Sequence, residues 1–162
     1  MLNRIRTTSG RLLAGALIAI GLAQAAVADE HRSSARVPLL PKYQQECAAC
    51  HLAYPPGMLP AASWQRLMNN LPDHFGTDAS LDPASVRELS KWLASNAATG
   101  KRASEAPPQD RITRSQWFIH EHDEVPVAAW KLAAVKSASN CAACHTQSQQ
   151  GDFRERNVRI PR

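Results

Sequence analysis

Aromatic residues are scarce in this sequence: three phenylalanines, two tyrosines and four tryptophans stand among 162 residues, interrupted by 11 prolines. A chain so composed has little from which to build a large apolar core of its own, and small domains of that kind rely on staples. Cysteine is equally sparse, with four residues, all inside two short motifs. Long apolar runs are missing too. The longest, Leu12 to Ala23, falls short of the about 20 residues that cross a bilayer. No strand-like alternation surrounds either cysteine motif, which removes the βαβ setting of a thioredoxin-like redox pair. Outside the two motifs no block of sequence is repeated.

The two motifs are Cys47-Ala48-Ala49-Cys50-His51 and Cys141-Ala142-Ala143-Cys144-His145. Cys-x-x-Cys-His is the attachment signal of c-type haem. Thiols three residues apart lie on one face of a helical turn, where both can form thioethers with the two vinyl groups of one porphyrin. The histidine that follows then stands beneath the iron as a neutral imidazole ligand. A structural zinc shared by the two pairs is the competing reading. Its cysteine pairs are usually about 15 to 20 residues apart, whereas Cys141 stands 91 positions after Cys50. Zinc also has no need of a histidine after both second cysteines. Two covalent haem c groups are therefore expected, and they are the staples that the thin core requires. Because ligand binding and folding are coupled in such domains, the haem-free chain is expected to be largely unfolded.

Residues 1–28 have the form of a cleaved signal peptide: Arg4, Arg6 and Arg11, the apolar run, and Ala26-Val27-Ala28 before Asp29. Export fits haem c, which is attached outside the cytoplasm, and points to the periplasm. The signal holds three of the 19 basic residues and none of the 14 acids, leaving 16 bases against 14 acids, a formal +2 instead of +5. Haem propionates lower this further, so nothing in the charge balance favours nucleic acid.

The mature chain divides by composition into a mobile N-terminal segment (29–41), a first haem-binding half (42–100), a polar linker (101–110) and a second haem-binding half (111–162). Tyr54 to Pro60 is a proline-rich loop. The apolar stripe of Leu59, Trp64, Leu67, Met68 and Leu71 predicts a helix that Pro72 ends. Asp82 and Pro83 open a second helix with Val86, Leu89, Trp92 and Leu93 on its buried face. Trp117 to His122 and the run after Pro126 are shorter helical segments. The tail, with four arginines in its last nine residues, reads as a solvated end.

The second ligand of each iron decides the chemistry: an open position allows binding or catalysis, a filled one leaves electron transfer. Beyond His51 and His145 the candidates are His31, His74, His120, His122, Met58 and Met68. His31 lies close to the mature terminus and reads as solvated. His74, in a corner just past a helix end, is the first choice for the first haem, against a core histidine bonded to a carbonyl. Met58 in the proline loop is its rival, while Met68 sits on the apolar stripe and reads as packing. His120 and His122 are two apart and diverge by about 200° on a helix, so one of them is expected in solvent. Their spacing alone does not rank them.

Glu46 through His51, Tyr54-Pro55-Pro56-Gly57-Met58-Leu59-Pro60, Ser63-Trp64, His74-Phe75-Gly76, Arg111-Ile112-Thr113, His122 and Asn140 through His145 together resemble the small bacterial dihaem cytochrome c family known as DHC. The resemblance covers most of residues 42 to 155. It implies an all-α, loop-rich c-type dihaem cytochrome whose two halves pack around covalent haems, a periplasmic electron carrier and not an enzyme. It further implies two low-spin, bis-histidine haems with His74 as a distal ligand, and it favours His122 over His120, because the family's histidine stands four residues before the proline that is Pro126 here. Which iron each distal histidine serves stays open, a crossed arrangement included. The partners implied are a membrane b-type cytochrome or another quinol-linked donor and a soluble oxygen-binding haem protein as acceptor, with no small-molecule substrate. Two other readings are a small dihaem enzyme, a peroxidase or an O2 or NO reductase with one open haem, and an electron-entry subunit of a periplasmic reductase.

Overall fold

A computed structural model describes residues 37–162. The expected signal peptide, His31 and the first part of the N-terminal segment lie outside the described residues. The fold is all-α and loop-rich: five α-helices joined by 3-10 turns, with isolated β-bridges and no strand among the described residues. None of these helices is long and apolar enough to cross a membrane.

Helix α1, Pro41–Cys47, starts on a proline, whose missing N–H is no loss in the first turn. It buries Tyr43, whose ring lies 5.0 Å from that of Trp92 and whose hydroxyl donates to the Tyr54 carbonyl at 2.7 Å. The proline loop that follows contains a single 3-10 turn, Pro56–Met58, a turn of helix where the prolines predict none. Three residues suffice for it because the Met58 N–H reaches the Pro55 carbonyl. Trp64 Nε1 donates to the Pro56 carbonyl at 2.7 Å and locks the loop to helix α2, Ala61–Asn69.

Helix α3, Pro83–Ser95, forms as its sequence predicts: the Asp82 side chain accepts from the N–H groups of Ala84 and Ser85, and Pro83 occupies the first helical position. Such a cap stabilises a helix by about 1 kcal/mol. Helices α2 and α3 pack face to face and close the main core, in which Tyr43, Leu59, Trp64, Met68, Leu71, Leu89 and Leu93 are all buried. Leu89 is completely inaccessible, a burial that stabilises by about 1.5–3 kcal/mol. Met68 is thus a packing residue, in keeping with its place on the apolar stripe.

After residue 110 the elements shorten. Helix α4, Gln116–Glu121, is capped by Ser115, whose hydroxyl accepts from the Phe118 N–H. Helix α5, Val127–Trp130, is a single turn behind Pro126. Only Ser115, Phe118, Ala129 and Val135 are buried between residues 111 and 140. The tail is not the loose end its composition suggests. It folds back on the second motif, with the Arg159 N–H donating to the Cys144 carbonyl at 2.8 Å and the Thr146 N–H to the Asn157 carbonyl at 3.1 Å. Its anchor is buried Asp152, which accepts from Asn157 Nδ2 at 2.9 Å and from the Arg154 guanidinium. The arginines suggest solvation, but this carboxylate ties one of them, Arg154, to the fold.

Candidate haem sites

The two pentapeptides adopt different backbones. Cys47 is the last residue of α1, and Cys50 and His51 follow in the turn beyond it. Cys141 instead opens a 3-10 turn, Cys141–Ala143, that Cys144 ends. The expected shared face of one helical turn is therefore a helix end in the first copy and a tighter turn in the second. No helix leads into Cys141: Lys136 has a positive φ of 61° and Asn140 is non-helical.

Burial pushes the Cys47 thiol up to about 11, with Glu46 adding to the effect, and burial raises Cys141 and Cys144 as well. A redox Cys-x-x-Cys pair needs a thiol whose acidity is enhanced; these are shifted the other way. Nor does any group of three or more His, Cys, Asp or Glu side chains converge as a metal site among the described residues, so a structural zinc lacks its donor set there.

His74 follows the 3-10 turn Leu71–Asp73 and is pinned in a tight corner, its N–H donating to the Thr77 carbonyl at 2.8 Å and its carbonyl accepting from the Thr77 N–H at 3.2 Å. Phe75 and Gly76 complete the corner at positive φ, 56° and 90°. This turn brings the His74 ring opposite His51, with ring centres 6.1 Å apart and planes 24° from parallel. His122 caps the C-terminus of α4 and stacks on Phe118 at 4.0 Å. Its ring faces His145 at 6.0 Å, with planes 71° apart. His120 points into solvent, its side chain 83 % exposed beside Asp123. Met58 is buried in the proline loop. The ring pairs are thus His51 with His74 and His145 with His122, each within its own stretch of chain and not crossed.

The arrangement fits a haem iron at each pair. A metal–imidazole bond is about 2 Å long and the ring nitrogen lies about 1 Å from the ring centre, so imidazoles on opposite sides of one metal have centres roughly 6 Å apart. Protonation states agree. Nδ1–H of His51 donates to the Leu52 carbonyl at 2.7 Å, and Nδ1–H of His122 to the Phe118 carbonyl at 2.8 Å. In both rings Nε2 then keeps its lone pair for a metal. His74 and His145 are shifted below the ordinary histidine range, by burial first and by the facing histidine second, so both are held neutral. Their Nδ1 atoms are the buried side-chain atoms without a hydrogen-bond partner among the described residues. Folded chains rarely leave such atoms unpaired, and both belong to the ring pairs, where a further group is wanted.

Aromatic residues to which the sequence assigns no part at the irons line these pairs. Tyr54 stacks on His51 with ring centres 5.1 Å apart, while Trp130 and Phe153 flank His122 and His145 at 5.9 and 5.2 Å. Tyr54 is adjacent to a motif and could have been weighed from sequence. Phe153 approaches only because the tail folds back, which no local pattern reveals.

Known proteins place the chain in a family. The family model for dihaem cytochrome c matches residues 43–153. The crystal structure of a diheme cytochrome type c from Shewanella baltica OS155 is similar, at 36% identity and a TM-score of 0.66, over 77% of this chain and 95% of that one. Two structures of the diheme cytochrome c from Rhodobacter sphaeroides are each 45% identical, with TM-scores of 0.62 and 0.64, covering 72% and 74% of this chain and 99% and 100% of those chains. No curated protein sequence matches the chain. With two attachment motifs, two ring pairs spaced for iron and relatives matched along nearly their whole length, the chain belongs to the dihaem cytochrome c family and takes two covalently attached haem c groups as its cofactors.

Proposed function

We propose that this protein is a periplasmic electron carrier whose two low-spin haems are each bound by two histidines. Cys47 and Cys50 would hold the first haem, with His51 and His74 as the residues that bind its iron; Cys141 and Cys144 would hold the second, with His145 and His122. The observation that carries this reading is the facing of each motif histidine by a second imidazole at 6.1 and 6.0 Å. When bound, each haem supplies a one-electron iron couple. The chain's part would be to supply two histidines to each iron. The Leu52 and Phe118 carbonyls orient one ring of each pair, and burial keeps the other ring neutral. Two histidines at each iron would leave small molecules no access to the metal, so that electron transfer remains. The protein then acts as a relay and not as an enzyme. Two imidazoles place both potentials below those of Met-ligated cytochromes, axial ligands spanning about 0.8 V in haem proteins. The donor proposed is a membrane b-type cytochrome or another quinol-linked protein, and the acceptor a soluble oxygen-binding haem protein.

The oxidised protein should show two low-spin irons. His74→Ala should turn the first haem high-spin with its covalent attachment intact, and His122→Ala should do the same to the second. His120→Ala should leave the spectrum as it was. A low-spin spectrum untouched by His74→Ala or His122→Ala removes that residue as a ligand. A high-spin component in the wild type instead points to a small dihaem enzyme.

A further inference from the structure

The residues around the two motifs meet at one side chain. Tyr54 lies three residues after His51 and stacks on it, with ring centres 5.1 Å apart and planes 26° from parallel. Its hydroxyl donates at 2.9 Å to the carbonyl of Ser139, 85 residues on and two before Cys141. The Cys141 sulfur lies 3.7 Å from that same carbonyl oxygen. Tyr54 is itself held from behind, its own carbonyl accepting from buried Tyr43. A cleft of about 590 Å³ has Tyr54 in its wall and is lined by both His51 and Cys141.

We propose that Tyr54 is a positioning residue shared by both haem sites: its ring sets the plane of His51, and its hydroxyl holds the segment entering the second motif. The inference rests on the bis-histidine reading above. A ring stacked on one face of an imidazole resists its rotation about the metal–nitrogen axis, and outer-shell contacts of this kind orient metal-bound histidines. The hydroxyl bond is the long-range half of the device. It fixes the distance between the backbone at His51 and the backbone at Cys141, and so lets a change at one site reach the other.

The two halves separate by substitution in the full haem-loaded protein. Tyr54→Phe keeps the ring and loses the hydroxyl; Tyr54→Leu loses both. Paramagnetic resonance of the ferric protein reads the relative planes of the axial rings, and a redox titration reads both midpoint potentials. In Tyr54→Phe the first low-spin signal should be retained while the potential of the second haem shifts. In Tyr54→Leu the first signal should move as well. A second-haem potential unchanged in Tyr54→Phe overturns the shared role, as does a first signal unchanged in Tyr54→Leu. If Tyr54→Leu fails to mature, the Tyr54→Phe potential decides the matter alone. Loss of thermal stability with potentials and signals intact reduces Tyr54 to ordinary packing and also overturns the inference. These outcomes are distinct from failure of the ligation reading, which shows as a high-spin component already in the wild type and removes the inference with it.

Discussion

The same pentapeptide stands in two kinds of surroundings. The first motif leaves the end of an α-helix seated on a packed core, where Leu59, Leu89 and Leu93 are each no more than 1 % exposed. The second sits in a 3-10 turn that follows short elements, with Phe118, Ala129 and Val135 as the buried apolar residues between 111 and 140 and three rings, Phe118, Trp130 and Phe153, around His122 and His145. Even the hydrogen bonds are exchanged. At the first site the motif histidine, His51, is tethered by a carbonyl and its facing ring has an unpaired Nδ1; at the second the facing ring, His122, is tethered and the motif histidine, His145, is not. A five-residue motif thus specifies attachment but not what supports it. The first region has a core of its own, whereas the second has few buried apolar residues and is backed by chain returning from the tail.

Removing the haems tests this contrast most severely. A variant with serine at Cys47, Cys50, Cys141 and Cys144 should lose most native helicity by circular dichroism, since the ligands contribute much of what holds so small a core. A variant with serine at Cys141 and Cys144 only should keep slow amide exchange in α2 and α3 while protection is lost over residues 116–130. Uniform loss, or uniform retention, would erase the distinction between the regions. Core truncation comes next in size. Leu89→Ala should cost about 2–5 kcal/mol in chemical unfolding, and Val135→Ala less, near 1.5 kcal/mol at about 0.8 kcal/mol per buried methyl group. Equal costs would mean that the second region is as well packed as the first.

The smallest effect concerns the Arg66–Asp110 ion pair, in which Arg66 Nε donates to Asp110 at 2.8 Å and ties α2 to the turn before the second region. Hydrogen bonding from Arg66 is the main reason that Asp110 is held below the ordinary 3.8. A carboxyl whose folded value is depressed stabilises the fold above its unfolded value and loses that contribution as pH falls through the folded one. Arg66 is largely exposed, so Asp110→Asn should cost no more than about 1 kcal/mol at neutral pH. The difference from wild type should shrink as the pH is taken below 3.8. A difference constant with pH would show that the bond is not carried by the charge.

Where structure depends on neighbours in sequence, it is legible there. Asp82 and Pro83 announce α3, Pro126 the turn that follows it, and the wide angle between His120 and His122 on a helix requires that the two part, though not that His120 is the one in solvent. The attachment residues are legible for the same reason, because haem c needs them in a fixed local spacing. What brings His74 opposite His51 is different: a corner with two successive positive φ values, at Phe75 and Gly76, of which only the glycine is foretold by residue type. The inward turn of the tail depends on Asp152 drawing in Arg154 and Asn157, and a list of arginines conceals it.

The backbone bond from Arg159 to the Cys144 carbonyl bears on time as well as space. Every residue of the first motif, its facing histidine and its core helices lies before Asn96, so a chain exported N-terminus first, as proposed, presents all the parts of that site before the rest has followed. The second waits until the chain has been extended through Arg159. The two sites are therefore completed in order, with the better-packed one standing ready before the other has all its parts.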